Sequence, residues 1–455
     1  MDWPSIFHKK HQAILKSASL GAAVLAALSL LPPAQGEDPL FQIHIGPPRI
    51  AKIVLHLQWL NVSEKELCPA EMKNTLSTVI ENDLSYFEGV ELSKRGKTPD
   101  ERQKEVKIAL RCKPQSGFMA LLGRNKPIEG ELFVPETLPE GEGGAKTSWR
   151  QISFSGKQDE QRDLAHTLAA AILKQFTGQE APFPSKIAFV CAGSGHKELY
   201  LSDFDGYHPK QITRHQSILL SPSWDPTERF ITYTLYRKRK NGSVNPDLMR
   251  LDLKTGEIKA ISTRPGLNSG AAWSPDGEAI AVTLSIHGDP DLYLISPEGE
   301  LLEQITATPG VDIEPSWSRR EKAITFVSGR SGQPMVYSLS LEDQNMQRLT
   351  FAGIYNSSPA WSPTNDVVTF AGQLGSHFDL FMLDLHTRYI VRLTDGRGQG
   401  DHDEPAWAPT GTHIAFHFKS PKDSYIGVMR PDGTGKKRMT PPSLGHCTSP
   451  AWSPL

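Results

Sequence analysis

The sequence predicts an N-terminal α/β domain followed by an all-β six-bladed β-propeller that is closed by the C-terminal strand. Three observations carry this prediction. A tryptophan at the start of a short turn occurs six times, successive copies are 44 to 49 residues apart, and each is followed by an apolar run. A repeat of this length built from short strands is typical of propeller blades. The tryptophans are Trp224, Trp273, Trp317, Trp361, Trp407 and Trp452.

One copy shows the elements of the repeat. Residues 267–273 are expected to form a strand that ends at a turn, 274–277, in which proline and glycine supply the required φ angles. An apolar strand at 279–284, an alternating strand at 291–295 and an outer strand at 302–306 complete four strands. The apolar strand and a threonine ending the outer strand recur six times, which predicts six blades. The threonines are Thr213, Thr263, Thr306, Thr350, Thr394 and Thr440.

The two ends of the repeat array predict how the ring closes. The first copy starts at Lys186 with the second strand of a blade, and the last copy, 447–452, is a tryptophan strand with no blade after it. We therefore expect 447–452 to form the innermost strand of the blade at 187–213. This arrangement leaves no open sheet edge in the ring.

The cysteines agree with that register. Alignment of the last tryptophan strand with the second one places Cys447 nearly opposite Cys191 across a hairpin. A disulfide between them is the hypothesis, given an oxidising compartment, and two buried thiols are the alternative. Cys68 and Cys112 could form a second pair in the N-terminal domain.

The first residues, 1–36, predict a cleaved signal peptide. Three lysines precede an apolar run at 18–31 that is too short to span a bilayer, and small residues stand at positions 34 and 36. We expect an exported, soluble chain starting near Glu37, without a membrane span. The formal net charge of the whole sequence is −2, and this weak acidity does not indicate a surface that binds nucleic acid.

Residues 37–181 do not repeat and predict the small α/β domain. Apolar residues at helical spacing predict helices at 69–87 and 163–176, and Gly178 is a stop signal for the second helix. The propeller domain is expected to cover 182–455. Strands are expected at 50–59, 106–112, 131–134 and 150–155, and a flexible loop at 138–146.

The segments that lead into the tryptophan strands lie on one face of such a ring, around the channel. Their side chains predict a polar, mostly acidic mouth. Polar groups around a concave opening suit a protein partner, and a solvated loop face is the alternative. The candidate residues are Asn268, Asp312, Glu314, Asn356, Asp401, His402, Asp403, Glu404 and His446.

Three other motifs are weaker. The acidic run at 401–404 could bind a cation, but its spacing matches no established loop, so we predict no metal. The basic run at 237–240 is interpreted as a solvated hairpin tip, with contact to an acidic surface as the alternative. Residues 141–147 lack the glycine spacing and the strand–loop–helix context of a phosphate loop, and no cofactor is predicted.

An enzyme is the competing class. A propeller lyase acting on polyuronides, or a propeller dehydrogenase, would keep its chemistry in the channel, where His402, Asp403 and His446 could serve. No general-acid pair, cofactor signature or Gly-x-Ser-x-Gly elbow is present. We therefore predict a binding protein rather than an enzyme.

These features together resemble the TolB family of the Tol–Pal system. The likeness extends over the chain after the signal peptide, although it is weak across 88–150. The stretches that carry it are Phe176-Thr177-Gly178, Ile187-Ala188-Phe189-Val190, Glu198-Leu199-Tyr200-Leu201-Ser202-Asp203-Phe204-Asp205-Gly206-Tyr207 and Ala451-Trp452-Ser453-Pro454-Leu455.

The resemblance implies a periplasmic adaptor without catalysis, monomeric within a Tol–Pal assembly. It implies that the propeller mouth binds a Pal-type outer-membrane lipoprotein and that the first mature residues contact a TolA-type inner-membrane protein. It also implies a role in outer-membrane integrity and cell division. The N-terminal residues concerned are Glu37, Asp38, Pro39, Leu40, Phe41, Gln42 and Ile43.

Overall fold

The computed structural model describes residues 53–60, 68–88, 90–93, 103–112, 127–137, 147–157, 160–397 and 399–455. The N-terminal part is a five-stranded sheet with the order β2-β1-β3-β4-β5 and two helices. Strand β1 pairs in parallel with β2 and β3, and β3, β4 and β5 pair antiparallel. The bounds are β1 Ile53–Trp59, α1 Ala70–Leu84, β2 Val90–Leu92, β3 Gln103–Cys112, β4 Pro127–Thr137, β5 Thr147–Lys157 and α2 Gln161–Thr177.

Both helices bury one apolar face, as their spacing predicts. Helix α1 buries Leu76 and Ile80, and α2 buries Leu168 and Ile172. Gly178 ends α2 in the left-handed conformation, with φ of 70°. The helices and four of the strands were expected from the sequence, whereas β2 was not, because three residues are too few to show a period.

Six four-stranded antiparallel sheets follow within the described residues, and they confirm the predicted propeller fold. We number them I to VI, from the innermost strand outwards. Sheet I contains β29 Cys447–Trp452, β6 Lys186–Cys191, β7 Glu198–Asp203 and β8 Lys210–Gln211. The others contain, for sheet II, β9 Leu219–Trp224, β10 Phe230–Lys238, β11 Val244–Asp252 and β12 Ile258–Ser262; for sheet III, β13 Asn268–Trp273, β14 Ile280–Leu284, β15 Asp291–Ile295 and β16 Leu301–Gln304; for sheet IV, β17 Asp312–Trp317, β18 Ala323–Ser328, β19 Met335–Ser340 and β20 Met346–Arg348; for sheet V, β21 Asn356–Trp361, β22 Val367–Leu374, β23 His377–Asp384 and β24 Ile390–Arg392; and for sheet VI, β25 Asp401–Trp407, β26 Ile414–Lys419, β27 Ser424–Met429 and β28 Lys437–Arg438.

The first and last repeats share sheet I. Strand β29 pairs antiparallel with β6, and Cys447 lies opposite Cys191, to which it is disulfide-bonded. Cys68 is also disulfide-bonded. The side chain of Cys112 lies outside the described part of the chain, so the pairing of these two cysteines stays a prediction.

The repeated threonines lie beyond the outer strands rather than at their ends. In five sheets the hydroxyl oxygen accepts a hydrogen bond from a backbone N–H of the third strand, as in Leu199 N to Thr213 Oγ1 at 2.9 Å. The Thr213 hydroxyl then donates to Glu198 at 2.7 Å. Each of these five threonines therefore replaces a ladder bond where the outer strand has already ended.

The two parts of the chain share one hydrophobic cluster. It runs from Ile80 of α1 through Phe183 to Trp452 of sheet I and Val428 of sheet VI. Tyr86 packs edge-on against His413, with ring centroids 6.1 Å apart. The α/β part is therefore seated on sheets I and VI. Among the described residues no helix is long and apolar enough to cross a bilayer.

The disulfide generates a stability prediction. Cys447→Ser should lower the free energy of unfolding by about 2–5 kcal/mol, because it reopens a loop of sequence separation 256. Chemical denaturation of the oxidised protein measures the loss, with Ser443→Ala, an exposed change nearby, as the control. A variant as stable as the control would contradict a role for this bridge in holding the ring.

Candidate protein-binding mouth

The mouth is the ring edge at which the innermost strands begin. Each innermost strand contacts that of the next sheet, in the cyclic order β29, β9, β13, β17, β21, β25 and back to β29. Each of them also carries a register shift against its neighbour in the same sheet. Such a bulge re-aims one side chain and is frequent beside functional sites.

The bulges place one left-handed residue per sheet at equivalent positions. Their φ angles lie between 50° and 62°. Small residues occupy four of the six positions, and glutamates occupy the other two. The residues are Ser221, Gly270, Glu314, Ser358, Glu404 and Ser449.

The two glutamates bridge neighbouring sheets. The Glu314 carboxylate accepts a hydrogen bond from the backbone N–H of Ser358 at 2.7 Å. The Glu404 carboxylate accepts from the backbone N–H of Ser449 at 2.6 Å and from its hydroxyl at 3.1 Å. In both cases a glutamate at one bulge fixes the bulge of the following sheet.

Burial dominates the electrostatics of these carboxyl groups. It raises the pKa of Glu314 to about 7, because desolvation outweighs the hydrogen bond from Ser358, and the negative charge of Glu404 adds to the shift. Burial also raises the pKa of Glu404, with a further contribution from Asp403. The mouth therefore holds at least one carboxyl group, that of Glu314, that gains and loses its proton near neutral pH.

His417 joins this acidic group. Its Nδ1 lies 2.7 Å from Asp403 and 3.6 Å from Glu404, and its Nε2 lies 2.9 Å from the Ser424 hydroxyl. Burial would lower the pKa of His417, but the carboxylates of Asp403 and Glu404 together outweigh burial and raise it. Both ring nitrogens thus have protein partners. The prediction that no metal binds at 401–404 stays a prediction.

Three predicted mouth residues are buried and hold the lead-in segments. The Asn268 amide donates to the carbonyl of Arg264 at 2.7 Å. Asp312 pairs with Arg330 at 2.9 Å, and Asn356 donates to the carbonyl of Ala352 at 2.9 Å. Their polar groups bond to neighbouring groups of the protein beneath the surface of the mouth. These three residues therefore fix the lead-in segments.

The remaining candidates differ in accessibility. Asp401 is half-buried and accepts a hydrogen bond from the Phe378 N–H at 3.0 Å. His402 is buried against Phe416 and Phe418, and burial lowers its pKa to about 4, so that it is neutral at physiological pH. His446 is exposed. The predicted N-terminal segment, 37–43, lies outside the described residues.

A second charged cluster lies where the α/β part meets sheet I, and sequence reasoning missed it. His166 of α2 places Nδ1 2.7 Å from Asp83 of α1 and Nε2 3.7 Å from Asp203 of β7. Arg162 pairs with Asp203 at 3.0 Å and with Asp205 at 2.9 Å. The available signal was Arg162, directly before the predicted second helix, four residues ahead of His166 on that helix.

The charges in this cluster are mutually dependent. Burial would lower the pKa of His166, but hydrogen bonds to Asp203 and Asp83 outweigh it and raise the pKa to about 9. Burial raises the pKa of Asp83 to about 6 despite its bond to His166. Burial would also raise the pKa of Asp203, but His166 and Arg162 hold it well below its usual range. The protonated imidazole therefore links the two parts of the chain.

The comparisons with known proteins point to one family. The family model described as the TolB beta propeller domain matches residues 173–455, more than half of the chain. The Tol-Pal system protein TolB of Desulfosudis oleivorans is 38% identical over 146 residues, covering 32% of each chain. The Protein TolB homolog of Chlorobium luteolum is 33% identical over 190 residues, covering 39% of this chain and 42% of the relative. The chain thus matches less than half the length of either relative.

A solved structure shows the same fold over a longer stretch. The crystal structure of TolB from Acinetobacter baumannii superimposes with a TM-score of 0.72 and 21% sequence identity. The superposition covers 89% of this chain and 97% of that one, and so includes part of the α/β region as well as the propeller.

The raised pKa of Glu314 predicts a pH-dependent stability. Because the folded chain holds this proton from pH 4.5 up to about 7, the free energy of unfolding falls as the pH rises through that window. Glu314→Gln should therefore be more stable than the wild type by about 1 kcal/mol at pH 8 and equal to it at pH 4. Thermal unfolding at both pH values, with the exposed Glu300→Gln as control, measures this. Equal stabilities at pH 8 would refute the assignment.

The His166 cluster predicts the behaviour at higher pH. Its raised pKa means that the stabilisation is complete below about 6.5 and is lost as the pH rises through about 9. His166→Asn should lower the free energy of unfolding by about 2–4 kcal/mol at pH 6 and by less at pH 9.5, because Asp83 loses its buried partner. The exposed His208→Asn is the control. A loss that does not depend on pH would contradict the ionic role.

Proposed function

The chain belongs to the TolB propeller family, and on that premise we propose that it is a periplasmic, non-catalytic adaptor of the Tol–Pal system. The observation that carries the proposal is the mouth, where half-buried carboxylates at the bulges of the innermost strands bond to the next sheet and fix the rim. Such a surface suits a protein partner. The Tol–Pal names of the relatives supply the system.

The mouth is proposed to bind a Pal-type outer-membrane lipoprotein. Glu314 and Glu404 are half-buried there, and each already holds a backbone N–H of the next sheet. A partner that covers them would displace water from a rim that is already pre-organised, which lowers the entropic cost of binding. The adaptor would then support outer-membrane integrity and cell division.

The N-terminal segment 37–43 is proposed to contact a TolA-type inner-membrane protein after removal of the signal peptide. Binding of a partner at the mouth would change the access of the other partner to 37–43, because it would shift the populations of the conformations of the chain. The seating of the α/β part on sheets I and VI supports this proposal, because the mouth includes residues of the same two sheets.

We also propose that sheets I to VI are the complete set of blades and that β29 closes the ring. The pairing of β29 with β6 and the cyclic contact of the innermost strands support this. A closed ring gives the mouth a fixed shape, as a binding platform requires.

The test is a calorimetric titration of residues 37–455 with the soluble domain of the Pal-type lipoprotein from the same cell. Saturable binding is expected, and Glu404→Ala should weaken it about ten-fold if this carboxylate lies near the centre of the interface. Lys254→Ala, at the opposite edge of sheet II, is the matched control and should bind as the wild type does.

Two results would count against the proposal. Absence of binding by the wild type would refute the adaptor role at this mouth. If Glu404→Ala binds as tightly as the wild type, the adaptor role would stand, but the binding site would lie away from this carboxylate. Removal of 37–43 should abolish capture by the TolA-type protein and leave Pal-type binding measurable, which separates the two contacts.

A further inference from the structure

Two hairpins, on opposite sides of the ring, continue as paired strands beyond the level of the mouth. In sheets I, III, IV and VI the second and third strands stop pairing at the level where the innermost strand begins. In sheet II the pairing of β10 with β11 continues for three further residues, to Lys238 opposite Val244. In sheet V it continues for two, to Leu374 opposite His377. The extension places the tip of the sheet II hairpin about 10 Å further out, because its connection is longer than those of the other sheets. The sheet V connection has the same length as those of sheets I, III and IV and differs from them in being paired.

Their positions in the ring are opposed. The innermost strands of sheets II and V, β9 and β21, are separated by two other innermost strands along either direction of the ring. A partner seated over the channel therefore has the long hairpin of sheet II on one side and the paired hairpin of sheet V on the other.

The hairpin of sheet II, residues 236–244, is strongly basic, and we call it the basic hairpin. Arg237 and Arg239 pair with the buried Asp247 at 3.3 and 2.5 Å and so fix the base of the hairpin. Lys238 and Lys240 are exposed, and neither has an acidic partner within 4 Å among the described residues. The expectation of a wholly solvated tip is corrected in part, since the two arginines have structural partners and 237–238 belong to β10.

The opposite side is apolar. The segment that leads into β21, residues 349–355, carries Phe351 and Ile354 with exposed fractions of 72% and 53%. It is held against the paired hairpin of sheet V, because Gln373 N–H donates to the carbonyl of Tyr355 at 2.8 Å and the Tyr355 ring lies 5.7 Å from that of Phe378. We call 349–355 the apolar edge. Exposed aromatic and aliphatic side chains beside a pre-formed surface are typical anchors of protein interfaces.

The floor between the two sides is acidic. Glu314, Glu404, Asp401 and Asp403 lie around the channel between the basic hairpin and the apolar edge. An extended polyanion, such as a nucleic acid or an anionic bilayer, would place its phosphates over these carboxylates as well as beside the lysines. A folded protein with a localised acidic patch can place that patch against the basic hairpin and an apolar side chain against the apolar edge, while keeping negative charge away from the floor.

We propose that the protein partner bound at this mouth presents an acidic patch to Lys238 and Lys240 and an apolar side chain to Phe351 and Ile354. The inference rests on the proposed function and adds the orientation and the chemistry of the partner. Exposed charge pairs at the edge of an interface act mainly on the association rate, whereas apolar anchors act mainly on dissociation. The two sides of the mouth therefore have distinct kinetic signatures.

The test compares association and dissociation rates of the soluble Pal-type domain with three double variants of residues 37–455. Lys238→Glu with Lys240→Glu should slow association about ten-fold at low salt and flatten its salt dependence. Phe351→Ser with Ile354→Ser should speed dissociation about ten-fold and leave the salt dependence unchanged. Lys254→Glu with Lys259→Glu, the same charge change away from the mouth in sheet II, is the matched control.

The outcomes separate this inference from the proposed function. Wild-type binding with rates that neither mouth variant changes would overturn the inference and leave the adaptor role standing. Absence of wild-type binding would refute both this inference and the proposed function. A loss of association in the lysine control equal to that of the mouth lysines would show a non-specific charge effect and overturn the inference. Binding of the protein to phosphatidylglycerol vesicles, lost in the mouth lysine variant, would replace the acidic protein by a membrane surface.

Discussion

The fold depends on the tryptophan that ends each innermost strand, because in four of the six sheets its indole N–H bonds to the previous sheet. The indole N–H of Trp317 donates to the carbonyl of Ala272 at 2.9 Å, and that of Trp224 donates to Ala451 at 3.0 Å. A single sheet cannot satisfy this donor once it is buried, and an unsatisfied buried N–H is costly. These four repeats therefore need a neighbour, and the bond from Trp224 reaches β29, at the other end of the repeat array.

The same strands that carry the tryptophans also shape the mouth. Because the tryptophan end of each strand is fixed against the previous sheet, the extra residue of the bulge is accommodated nearer the mouth. The backbone there is left-handed, a conformation that favours glycine and is costly for larger side chains. Gly270 meets this requirement without strain, whereas Glu314 and Glu404 offset the cost by bonding to the following sheet. Strain held by a defined contact is typical of positions with a function.

The sequence predicts those interactions that recur in every repeat. The turns, the apolar strands and the alignment of Cys447 with Cys191 recur at fixed spacing, so comparison of the copies predicts the architecture and the register. No repeated spacing in the sequence indicates whether a polar side chain points to solvent or to a neighbouring group of the protein. Asn268 was expected at the mouth surface, yet its amide binds the loop beneath. His166 and Asp203 meet only because the α/β part packs on sheet I, and no local period indicates a contact of that kind.

The arrangement of the contacts restricts how the mouth and the α/β part can influence each other. The described contacts of the α/β part with the ring concentrate on sheets I and VI, and Glu404 of sheet VI holds Ser449 of sheet I at the mouth. Ser449 lies on β29, β29 pairs with β6, and β7 beyond it carries Asp203, which faces His166. Displacement of Glu404 by a partner would act first on β29, the strand whose disulfide holds it to β6. Coupling along this path requires two arrangements of sheet I with similar energies. Sheets III and IV, whose contacts lie with other sheets, would carry little of it.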